Sequence, residues 1–84
     1  MYEYVKLPEH LQGGMKRYVE DGIKAGDFLS AVLSNDLHEA VTYADSTNLK
    51  LLPEIVRWVY NEVPSGCWGT RLRVKNWRGI SDGA

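Results

Sequence analysis

A single cysteine, Cys67, stands among the 84 residues, so no intrachain disulfide can form and a reducing compartment is the expected home. Metal ligands are as scarce. His10, His38 and Cys67 are the only soft donors, none of them paired at metal-ligand spacing, so neither a metal nor any other cofactor is expected. Apolar runs stop at three residues, as in Ala31-Val32-Leu33, far short of the roughly 20 that a membrane span requires. The opening MYEYVKLPEH carries Glu3 and Lys6 and no apolar stretch, so it does not read as a signal peptide. A soluble protein that stays where it is made is therefore expected. Nucleophile elbows, phosphate-binding loops and zinc motifs are also missing, and Cys67 has no local base beside it, so catalysis is not expected.

What is present is enough for one small domain, with a net stability on the order of 5 kcal/mol. A scaffold of this size without disulfide or metal is expected to gain from self-association, so a homo-oligomer is anticipated. Net charge is −1, unevenly spread: residues 1–63 hold six Lys/Arg against ten Asp/Glu, while residues 64–84 hold four against one. A basic end of this kind either meets an anionic partner or is a solvated terminal face.

Periodicity predicts an all-α chain of four or five short helices. Residues 2–7 alternate weakly and read as extended, with a minor terminal strand pair as one option, and residues 1–7 and 79–84 are expected to be loose. Pro8 and Glu9 suit a first turn, and Leu11, Met15, Tyr18, Val19 and Ile23 then share one face. Gly13-Gly14 weakens that helix, which points either to a close neighbour or to a frayed turn. Gly22 and the Lys24–Gly26 corner end it, and Asp27 is placed to cap the next. Phe28, Leu29, Val32, Leu33, Leu37, Ala40, Val41 and Ala44 stay in helical phase across Ser34-Asn35-Asp36. Asp36 and Glu39 form a capping-box pattern, so this stretch is either two helices or one kinked helix. Asp45-Ser46-Thr47-Asn48 marks a further start. Leu49, Leu52, Ile55, Val56, Val59 and Val63 make its buried stripe; Leu51 and Trp58 widen it, and Pro53 is expected to kink or restart it. Thr70 to Arg78 fits a short helix capped by Thr70 better than a strand.

Candidate recognition residues sit at the joints. Asn35 and Asp36 set a carboxamide beside a carboxylate, suited to a ribose, a base edge or a partner backbone, but equally to closing helix ends. Asp45 and Asn48 carry the same two readings, weighted further towards capping. Tyr60, Asn61 and Trp68 combine aromatic faces with an amide, as a stacking platform does, although aromatics at helical spacing also build cores. Arg71 and Arg73, with Lys75, Arg78 and the interleaved Trp77, are the phosphate contacts if a nucleotide binds.

The chain resembles a family of short proteins encoded by tailed phages and prophages. The likeness runs from Pro8-Glu9-His10 through Tyr18-Val19, Gly22-Ile23 and the block Gly26 to Leu37 (F-L-x-A-V-L-x-N-D-L). It continues through Glu39-Ala40, Ala44-Asp45, Asn48, Ile55-Val56-Arg57 and N-E-x-P-x-x-C-W-G to Val74 and Trp77. The chain departs from that pattern after Gly69, where Thr70-Arg71-Leu72-Arg73 replaces a capping serine, proline and acid. The resemblance implies an accessory product acting in the host cytoplasm. Small phage proteins of this class often disarm host defences, by blocking a host protein or sequestering a small nucleotide signal. A non-catalytic, stoichiometric binder is thus the expected function, with a small nucleic-acid-binding regulator using the basic end as the alternative.

Overall fold

The computed structural model describes residues 3–80. Five α-helices follow one another: α1 (Glu9–Asp21), α2 (Asp27–Leu33), α3 (Leu37–Tyr43), α4 (Ser46–Glu62) and α5 (Arg71–Asn76). Short 3-10 turns lie at Tyr4–Lys6 and Ser65–Cys67, and no strand occurs among the described residues. The expected extended segment at residues 2–7 is thus corrected to a helical turn over Tyr4–Lys6. Its anchor is aromatic: Tyr4 packs on Trp58 with ring centroids 5.5 Å apart, and the Trp58 indole donates to the Glu3 carbonyl at 3.0 Å. Of the segments expected to be loose, residues 3–7 place Leu7 in the core, whereas residues 1–2 and 81–84 lie outside the described residues.

The core gathers Leu11, Met15, Tyr18 and Val19 of α1, Phe28, Leu29 and Leu33 of α2, and Leu52, Ile55, Trp58 and Val59 of α4. Tyr18 is buried because its hydroxyl finds the Cys67 carbonyl at 2.6 Å, which satisfies both groups away from water. A Cα radius of gyration of 11.7 Å matches the value of about 12 Å for a compact chain of this length. No helix among the described residues is long and apolar enough to cross a membrane.

Helix ends decide where each apolar face points. Gly22, at φ 71°, ends α1; the Ile23 N–H reaches the Arg17 carbonyl and the Gly22 N–H reaches Tyr18. Ile23 lies beyond this reversal and leaves the α1 face, so it is 52% exposed and not in the expected core. Asp27 is the first residue of α2 and makes no cap bond; Gly26 holds the cap position, and the Ser30 hydroxyl donates to Ala25 instead. The Ser34–Asp36 stretch does separate two helices. Helix α4 runs unbroken through Pro53. Thr70 caps α5 by accepting from the Arg73 N–H at 3.1 Å, so the final helix forms despite the altered sequence after Gly69.

Candidate functional site

The α2–α3 joint is built from two chain-reversal devices sharing one residue. Asn35, at φ 60°, is the only described non-glycine residue with positive φ, a backbone state that asparagine tolerates well. Its N–H bonds to the Val32 carbonyl, and the Asp36 N–H to that of Ala31, closing α2 as a Schellman motif. Asp36 then caps α3, accepting from the Glu39 N–H at 3.0 Å through Oδ1. Because the Asp36 N–H is already spent on α2, the reciprocal arm of a capping box is not needed. Oδ2 accepts from Arg71 Nη2 at 2.5 Å, which ties α5 to the joint. The Glu39 N–H first, and the Arg71 guanidinium second, hold the Asp36 carboxyl below the usual carboxylate range.

On one side of this joint lies a groove of about 170 Å³ between α3 and α4, bounded by Asn35, Asp36, Leu37, Leu52, Val56 and Trp68. Trp68 stands edge-on to Tyr60, with centroids 5.7 Å apart and ring planes at 75°. The carbonyl of Trp68 accepts from Arg73 at 3.5 Å, as that of Ser65 does at 3.3 Å. Gly69 fixes the loop by donating to the Leu33 carbonyl at 2.7 Å. On the two helices that form the groove, Leu37 (69%), Val41 (46%), Leu49 (48%), Val56 (46%) and Tyr60 (70%) remain exposed, Leu37 and Val56 within its lining. Leu37, Val41, Leu49 and Val56 were all expected inside, and that expectation is corrected. Helices α3 and α4 each carry a wider apolar arc than the core can cover. Leu49, Pro53, Val56 and Tyr60 recur at spacings of four, three and four, so they form a second apolar strip on the solvent side of α4.

The other anticipated residues are placed elsewhere. Asp45 caps α4 by accepting from the Asn48 N–H at 2.7 Å. The Asn48 side chain is buried and pairs with His10 at 2.6 Å, which bolts the start of α4 to the first turn of α1. Asn61 is exposed on the polar side of α4. Asn35, Asp36, Tyr60 and Trp68 are therefore brought together at the groove, with Arg71 and Arg73 bracing it from behind. Asp45, Asn48 and Asn61 do not join them.

A second concavity, of about 550 Å³, opens on the far side of Arg71, between the end of α1, α2, α3 and α5. The chain after α5 forms its wall and is locked to α1 by glycine contacts. A Cβ at Gly22 would stand 2.4 Å from the Arg78 backbone, and one at Gly79 would stand 2.6 Å from that of Asp21. Trp77 reinforces the lock, its indole donating to the Tyr18 carbonyl at 2.9 Å. Sequence reasoning assigned Arg71, Lys75 and Arg78 to a basic end but missed Lys24, Ser30 and Ser34, which enter the same cleft from other parts of the chain.

Cys67 is wholly buried and burial pushes its thiol up to about 11, while His10 is engaged by Asn48. No group of three His, Cys, Asp or Glu able to hold a metal ion occurs among the described residues. No family model, curated protein or solved structure shows a significant match to the chain.

Proposed function

We propose that this is a non-catalytic binding protein that blocks a partner protein by seating one amphipathic helix of that partner in the α3–α4 groove. The observation that carries this reading is a preformed groove with exposed Leu37 and Val56 in its lining, and with exposed Val41, Leu49 and Tyr60 on the same two helices. Their exposed area is on the order of 500 Å², the scale of the largest patch a monomer surface carries and often a functional one. A helix laid across it would bury about 1,000 Å² in total, the threshold for a specific interface. The four-three-four spacing on α4 is the register in which a facing helix inserts its own apolar residues. Lys50 and Arg57 flank the strip with Glu54 between them, which leaves that flank basic by one charge, so the complementary helix carries acidic groups opposite Lys50 and Arg57.

In the setting that the resemblance implies, the partner is a host protein and the outcome is inhibition of a host process, with defence the leading class. The nucleic-acid reading draws on the basic end, where Arg71 is tied to Asp36 and Arg73 to two carbonyls.

Anisotropy of labelled amphipathic peptides with an acidic flank tests the proposal. Binding should saturate, and Val56→Asp should weaken it by at least tenfold, about 1.4 kcal/mol, while leaving the helical circular dichroism unchanged. Failure of such peptides to bind would count against it. So would sedimentation showing that wild type, but not Val56→Asp, is a dimer, since a second copy would then cover the face.

A further inference from the structure

We propose that the cleft between α1, α2, α3 and α5 is a second binding site, independent of the groove, for a small organic phosphate of nucleoside monophosphate size. Four cations converge on it from three parts of the chain: Lys24 after α1, Arg71 and Lys75 on α5, and Arg78 beyond α5. Two carboxylates, Asp27 and Glu39, share the lining and Asp36 pairs with Arg71, so four positive groups against three negative ones leave +1. That small excess suits one phosphate group. It disfavours a long polyanion, which would have to pass both carboxylates.

The cations are also arranged for use. Asp36 engages Arg71 through Nη2 only, so the other guanidinium donors stay available to a phosphate oxygen. Arg78 and Trp77 are held by the Gly22–Gly79 backbone contact and the Trp77–Tyr18 bond, so this wall is formed before any ligand arrives.

Ser34 adds a neutral donor. It lines the cleft with a hydroxyl that no protein group engages and that faces the open space, so it can bond a ligand there. The volume, about 550 Å³, is far more than a bare phosphate fills and lies within the range for small-molecule sites. Tyr43, 51% exposed on the same lining, offers a ring face for a planar group. Asp27 and Glu39 can then accept from ligand hydroxyl or amino groups. The phosphate contacts would come from Arg71, Lys75 and Arg78, and the ring contact from Tyr43.

Titration of the whole protein with AMP, followed by calorimetry and by the NMR shift of the Trp77 indole, tests this. Saturable binding that moves the indole signal is expected. Lys75→Ala/Arg78→Ala should weaken it at least tenfold, and Ser34→Ala severalfold without any change of charge. Val56→Asp, which disables the groove, should leave AMP binding unchanged, so the two proposals fail separately. No indole shift with millimolar AMP would overturn the site. Tighter binding of a DNA duplex than of AMP would do the same, because the footprint would then be an open basic face.

Discussion

Asp36 carries four bonds at once: one closes the last turn of α2, two open the first turn of α3 and one links the joint to α5. Its carboxyl is held below the 3.8 of a free aspartate, so the folded state favours the charged form. That stabilisation is complete above the unfolded value, near 4, and is lost as pH falls through the lower folded value. Asp36→Asn keeps a capping oxygen but loses the ion pair. Wild type should therefore resist urea better than Asp36→Asn at about pH 7, and the gap should close towards about pH 2 as the wild-type carboxyl protonates. A gap that stays constant with pH would show that the pair adds nothing.

Among the elements, α1 keeps two glycines for which packing gives no reason. A Cβ at Gly14 would sit 3.9 Å from Leu29 Cδ1, an ordinary contact, and one at Gly13 would meet only the tip of the Arg17 side chain. Neither has another backbone against it, so the close-neighbour explanation fails. Gly14→Ala should raise stability by about 0.5–1 kcal/mol, read as a higher urea midpoint at unchanged slope. Gly22, which ends that helix, lacks this freedom, since its positive φ and the Arg78 backbone both exclude a side chain. In α4 the apolar arc exceeds what one core needs. From the sequence the excess falls on Leu51 and Trp58 and suggests a partner subunit; in the fold Trp58 is buried and the excess lies at Leu49 and Val56, because periodicity reports which residues share a face, not which part of it is covered.

For the whole molecule, five helices enclose a core that includes Cys67, fully buried beneath the loop before α5. With burial lifting its thiol to about 11, only roughly one molecule in ten thousand carries a thiolate at pH 7. Native labelling by a disulfide reagent should then be slow and should accelerate with urea in step with global unfolding. Completion within seconds in native buffer would reveal a local opening of the Ser65–Cys67 turn. The groove and the cleft sit on either side of the Asp36–Arg71 pair, so the fold that needs this brace also spaces the two candidate surfaces.

Helix number, the Asp36, Asp45 and Thr70 caps and most of the core were legible in order along the chain. These depend on bonds three or four residues long and on side chains one turn apart, which local sequence specifies. The outward turn of Leu37, Val41, Leu49 and Val56 was not legible, nor was the convergence of Lys24, Ser34 and Tyr43 on the basic end. Both depend on which helices lie against which, and that is settled only when α1, α2 and α4 compete for one small core. A chain this short has too little interior to bury every apolar face it encodes, and packing alone chose the faces left outside.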